Sequence, residues 1–141
     1  MVIIKYGNRD NPTIVLLTPM MVSGADLYDL MKPYFKGAYH VIAPDQGGHS
    51  KAGAYISADV EYRALRSFLF ESKCTEIALV YGASLGMAVA WRLFFDSAFH
   101  GAHAWFDGVA LARNASFAEW LLKAIVEKRT SVNHFSVPFQ W

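Results

Sequence analysis

One cysteine in 141 residues, Cys74, is too few for an internal disulfide or a cysteine-based metal cluster, and that scarcity points to a reducing compartment. Charge is scarce too. Only 18% of residues are charged, and 13 basic against 12 acidic side chains leave a net charge of +1 spread along the chain. No electrostatic footprint for nucleic acid or an anionic membrane results. Long apolar runs are also missing: the longest uncharged stretches, residues 11–25 and 77–91, fall short of the roughly 18–20 residues that span a bilayer, and proline or glycine breaks both. Residues 1–6 show no charged leader ahead of an apolar segment and a small-residue cleavage site, so they do not read as a secretory signal. These absences predict a soluble, cytoplasmic protein that binds neither nucleic acid nor membrane. No clustering of His, Cys, Asp and Glu suggests a metal site, and no strand runs into the glycine pattern of a dinucleotide fold or a P-loop, so no cofactor is expected.

What is abundant is apolar surface: 54% hydrophobic and 15% aromatic residues. A single domain of this length buries about 68–70% of its unfolded surface, and such a surplus fits strands covered on both sides or a face awaiting a partner. Residues 13–17, Thr-Ile-Val-Leu-Leu, are apolar without alternation, the mark of a doubly covered strand. Similar runs occur at residues 40–43 and 77–81 and more weakly at 102–106, and residues 2–6 form a short β-prone segment before a turn-rich stretch. Helical spacing fills the gaps. Residues 23–35 place Leu27, Leu30, Met31 and Tyr34 on one stripe, residues 57–71 place Val60, Ala64, Leu65, Phe68 and Leu69 on another, and 87–95 follows as a third helix. Ser23 and Ser57 read as N-caps, the second supported by Asp59. Strands alternating with helices of this length predict an α/β fold, a mostly parallel sheet with helices on both faces. Residues 1–113 form that core; residues 114–141 change character, with Phe117, Trp120, Leu121, Ala124 and Ile125 on one face of an amphipathic helix.

The most informative five residues are Gly82-Ala83-Ser84-Leu85-Gly86, placed where an apolar strand meets a helix. A Gly-x-Ser-x-Gly turn of this kind presents its serine oxygen on a strained backbone, and the glycines relieve crowding. Two other blocks accompany it in order: residues 13–20, ending Thr18-Pro19-Met20, and residues 41–50, Val-Ile-Ala-Pro-Asp-Gln-Gly-Gly-His-Ser. With these three blocks the chain resembles the N-terminal part of the α/β-hydrolase superfamily, serine esterases and lipases among them. The resemblance implies Ser84 as nucleophile and the amides of Met20 and Leu85 as oxyanion donors. Thr18-Pro19 departs from the family's common His-Gly, yet the donor falls on the next residue, so the missing proline N–H does not remove it. Asp45 and His49 come before the serine, the wrong order for a triad, and read as structural.

Downstream of Ser84 stand Asp96, Asp107, Glu119 and Glu127, and His100, His103 and His134. Asp107 follows the 102–106 strand at its carboxyl end, where catalytic groups gather in open α/β sheets, and is the candidate acid; a turn role for Asp-Gly is the alternative. His100 and His103 precede that strand and therefore lie at its amino end, far from the serine, and read as surface or loop residues. His134 comes late enough for a catalytic histidine, but no strand precedes it. Complete members of the family continue with a cap and further strands that supply the usual acid and histidine, so the resemblance implies a fold truncated before its last strands. Two functions remain: a serine hydrolase scaffold acting on a small ester or other acyl compound, weak or inactive as this chain, and a non-catalytic α/β-hydrolase-fold module for binding or assembly. A bare edge on the 102–106 strand and the aromatic tail further predict a homodimer or a domain-swapped assembly.

Overall fold

The computed structural model of the chain describes residues 1–49 and 51–108, so Ser50, Glu119, Glu127, His134 and the helix expected after residue 114 lie outside the described residues. Five strands and three helices are present there: β1 (Lys5–Tyr6), β2 (Thr13–Leu17), α1 (Gly24–Phe35), β3 (His40–Ile42), α2 (Ala58–Glu71), β4 (Glu76–Ala83), α3 (Met87–Phe95) and β5 (His100–Asp107). The sheet order is β1-β3-β2-β4-β5, with β1 antiparallel to β3 and every other pairing parallel. The expected architecture is therefore present, a mostly parallel sheet with helices on both faces.

Alternation along β2 divides the core in two. Ile14 and Leu16 pack with Val41, Ala43, Leu27 and Phe35 on the α1 side, while Val15 and Leu17 pack with Ile42, Leu65, Leu69, Val89 and Leu93 on the side of α2 and α3. All five β2 side chains are buried, which is why the run carries no polar alternation. On β4, Ile77 and Val80 both join the α2/α3 side although they stand an odd number of positions, three, apart. The register explains this: Thr13 faces Ile77 but Ile14 faces Leu79, a bulge at Ala78 that resets the alternation before the chain reaches Gly82.

The helices start where the serines cap them. Ser23 Oγ accepts the Asp26 N–H at 3.1 Å while the Asp26 carboxylate accepts from the Ser23 N–H, a capping box, and Ser57 Oγ accepts the Val60 N–H at 3.2 Å. Their buried faces differ from the sequence expectation. In α1, Leu30 and Tyr34 are exposed, and the covered stripe runs through Gly24, Leu27, Tyr28, Met31 and Phe35. Two contacts select it: the Tyr28 ring stacks on Tyr6 at 3.6 Å between centroids, and a Cβ on Gly24 would lie 2.1 Å from the Ala43 oxygen, so this end of α1 approaches the sheet as closely as backbone allows. In α2, Val60 and Ala64 face solvent and Leu65 and Leu69 are buried together with the charged Glu61. Glu61 Oε1 accepts the Gly47 N–H at 3.0 Å, a polar anchor that turns the helix away from its most apolar stripe.

Asp96, at the end of α3, ties α3 to α2. Its Oδ2 accepts from the Tyr62 hydroxyl at 2.6 Å and from Arg66 Nε at 2.7 Å, and Oδ1 accepts the Ala98 N–H at 3.0 Å. Burial alone would raise this carboxyl, but the bonds from Tyr62, Ala98 and Arg66 prevail and hold it below its usual 3.8. A depressed folded value stabilises the protein above the unfolded carboxyl's titration and ceases to do so as pH falls through the folded one. Tyr62→Phe should therefore lower the unfolding free energy by about 1–1.5 kcal/mol at pH 7, with a smaller deficit at pH 3. Chemical denaturation at both pH values measures this, and equal deficits would show that the ionised carboxylate is not the acceptor that counts.

Candidate functional site

The strand order reverses at β2. The chain crosses from β2 through α1 to β3 on one side, then through α2 to β4 on the other, and at such a switch point the connections diverge and leave a crevice at the strands' carboxyl ends. Leu17 pairs with Gly82 there and Ala83 with Asp107, so the segments after β2 and β4 and the end of β5 converge.

Ser84 follows β4 directly, opens a single 3₁₀ turn, Ser84–Gly86, and is exposed. Its φ is 45°, in the left-handed region that a side-chain-bearing residue seldom occupies. The two glycines make this turn possible. A Cβ on Gly82 would lie 2.4 Å from Ala90 Cβ, and one on Gly86 would lie 2.5 Å from the Leu17 carbonyl carbon and oxygen and 2.8 Å from the Thr18 oxygen. Gly82 thus lets α3 fold back on β4, and Gly86 seats the turn against the end of β2. Leu85 stands in the first turn, where amide groups lack an intrahelical acceptor.

The segment after β2 holds the other expected donor. Val22 N–H closes a turn on the Pro19 oxygen at 3.4 Å, with Met21 inside it at φ 68°. Met20 and Met21 expose 65% and 90% of their surface, an apolar rim beside the serine turn. This segment is fastened by the loop after β3, whose reading as structural is matched by its bonds. Asp45 Oδ1 accepts the Gly24 N–H at 2.6 Å, Gln46 Nε2 donates to the Thr18 oxygen at 3.1 Å, and His49 Nε2 lies 3.0 Å from the Pro19 oxygen with Nδ1 3.2 Å from the Gln46 oxygen. The partners of Gln46 and His49 lie 28 and 30 residues away, and no local pattern announces them.

Asp107 ends β5 beside the serine turn, exposed, with Oδ2 accepting the Tyr81 hydroxyl at 3.0 Å; Gly108 follows at φ 72°. Burial, then the bond to Asp107, pushes the Tyr81 phenol up to about 12, so it remains a donor at neutral pH. The other acid in reach of description, Asp96, is committed to Tyr62 and Arg66 at the far end of α3. The described histidines stand away from Ser84 or are engaged: His40 pairs with Thr13 at the amino end of β2, His100 and His103 pair with Glu76 and Leu79 toward the amino end of β4, and His49 faces two carbonyl oxygens. His103 lies inside the strand rather than before it, because β5 starts at His100. Among the described residues no group of three or more His, Cys, Asp and Glu could hold a metal ion, and no helix is long and apolar enough to cross a membrane.

No protein-family model and no curated protein matches the sequence. Solved structures do match the fold. A Desulfitobacterium hafniense protein assigned to the alpha/beta hydrolase family superposes with a TM-score of 0.69 at 18% identity, over 96% of this chain and 56% of that one. A carboxylesterase of Nitrososphaera gargenis gives 0.68 at 15% identity over 86% of this chain and 46% of that one. Epoxide hydrolase A of Mycobacterium thermoresistibile gives 0.65 at 20% identity over 88% and 40%. The chain thus spans about half the length of the structures it resembles.

The left-handed backbone at Ser84 yields a direct test. Ser84→Gly removes the side chain that opposes this conformation whereas Ser84→Ala keeps a Cβ, so the glycine variant should be more stable than the alanine variant by about 1 kcal/mol. Thermal or chemical unfolding compares the two, and equal stability would mean that the turn stores no strain.

Proposed function

We propose, on the strength of the α/β-hydrolase fold that this chain carries, that it is a serine hydrolase scaffold acting on a small ester or other acyl compound, with Ser84 as nucleophile. The observation that carries this reading is the exposed serine at positive φ on the strand-to-helix turn. Its neighbours in fold include a carboxylesterase and an epoxide hydrolase, so the chemistry is argued from the serine rather than from the fold. Ser84 Oγ would attack the acyl carbon, the carbonyl oxygen would gain negative charge, and the amides of Leu85 and Met20 would receive it. Departure of the alcohol leaves an acyl ester on Ser84, which water then hydrolyses.

A hydroxyl needs a base to lose its proton, and Asp107, whose Oδ2 accepts the Tyr81 hydroxyl, is the candidate acid that would orient one. The base is then a histidine outside the described residues, and His134 is the candidate that follows Ser84 in this sequence. Where no histidine reaches Ser84, the remaining oxyanion donors and binding support only about 10³–10⁴ over the reaction in water. A fluorophosphonate probe separates the cases. Covalent labelling of the folded protein that Ser84→Ala abolishes, and that His134→Ala slows strongly, supports the hydrolase; folded protein that stays unlabelled supports the second reading.

That second reading is a non-catalytic module of the same fold that binds or assembles, and the placement of His49 between two carbonyl oxygens favours it, since a ring held there is engaged with backbone. Either function is compatible with a homodimer or domain-swapped assembly, for which β5, the last strand of the described sheet, with Trp105 61% exposed, offers an edge and an apolar face. Sedimentation across micromolar concentrations should then show a dimer, and a monomer throughout would reject the assembly.

A further inference from the structure

We infer that His49 is a positioning residue for the oxyanion site: by holding the Pro19 carbonyl it turns the Pro19–Met20 peptide so that the Met20 N–H faces the place where the oxyanion forms. The inference rests on the proposed role of that amide, and it begins with one peptide unit. The Pro19 carbonyl and the Met20 N–H belong to the same planar group, and no peptide bond among the described residues is cis, so oxygen and N–H point in opposite directions. Whatever fixes the oxygen aims the donor.

Proline makes that fixing necessary. Its ring locks φ at about −65° and removes its own N–H, so the peptide before it cannot be held through nitrogen, and ψ of Pro19 is the soft rotation that swings the Pro19–Met20 unit. Two carbonyls border this rotation and both are taken by the same loop: Thr18 O by Gln46 Nε2 at 3.1 Å and Pro19 O by His49 Nε2 at 3.0 Å. The turn bond from Val22 N–H to the same Pro19 oxygen is 3.4 Å long and correspondingly weak. His49 is therefore the stronger constraint on ψ.

The ring is itself firmly placed. It is 5% exposed, its Nδ1 lies 3.2 Å from the Gln46 oxygen, and the His49 N–H also donates to that oxygen at 3.1 Å. Gln46 is fully buried, Asp45 clasps the first amide of α1, and Glu61 clasps Gly47, so the loop hangs from two helices. A rigid support for a donor that must not reorganise during reaction is what electrostatic stabilisation of a developing charge requires.

The experiment compares wild type with His49→Leu, which removes the donor, and His49→Gln, which keeps an amide N–H able to reach Pro19. Fluorophosphonate labelling of Ser84 should slow at least about tenfold in His49→Leu, because losing one oxyanion donor outright costs about 10²–10³, and His49→Gln should recover part of the rate. In ¹⁵N spectra the Met20 amide should shift in His49→Leu while the Leu85 amide stays in place, a change that general loosening would not confine to Met20. An unchanged labelling rate, or an unmoved Met20 amide, overturns the inference. If wild type is not labelled, the hydrolase reading falls, and the Met20 amide alone decides the orientation. If His49→Leu does not fold, the imidazole ¹⁵N spectrum of wild type decides: a protonated Nε2 supports the inference and a bare Nε2 overturns it.

Discussion

The close approach of Gly86 to the end of β2 governs the geometry around Ser84. With a methyl group there, the turn would have to move away from the Leu17 and Thr18 carbonyls, and with it the segment that carries Ser84 and Leu85. Gly82 acts one turn earlier, letting Ala90 and Met87 of α3 lie directly on the strand. Between these contacts the chain has no relaxed path, and Ser84 takes the left-handed conformation that remains. The bulge at Ala78 contributes from further back, because it determines that Gly82 and not Ala83 faces α3.

Polar bonds finish what apolar packing starts. The two halves of the core hold β2, β3 and β4 in register, yet neither reaches the loops beyond their ends. There the structure uses side chains as struts between backbone groups: Asp45 to Gly24, Gln46 to Thr18, His49 to Pro19 and Glu61 to Gly47. Each strut joins a buried side chain to a backbone group of another segment, and leaving a buried backbone group unpaired costs about 1–3 kcal/mol. The result is that the segments after β2 and β3 behave as one piece, suspended from the starts of α1 and α2.

Much of this was legible in the sequence where one residue type suffices to give the answer. The run Thr13 to Leu17 forms β2 at the boundaries its composition predicts, because both faces of that strand are covered. Ser23, Ser57 and the elbow were equally plain, since each satisfies a backbone need within a few residues. The helix faces were harder: α1 has two overlapping apolar stripes, and Tyr6 of β1 and Ala43, just after β3, choose between them. The struts of Gln46 and His49 and the bond from Tyr81 to Asp107 join residues 26 to 30 positions apart, so they follow from the sheet order and not from any spacing.

The methionine pair beside the elbow carries a chemical liability. Met20 and Met21 hold their thioethers in solvent, whereas Met87 is buried against β4 at the start of α3. Peroxide would convert the two exposed side chains to sulfoxides first, replacing a flexible apolar rim with a polar, chiral one while the core stays intact. Oxidative damage to this molecule would thus begin at the mouth of the site rather than in the fold that supports it.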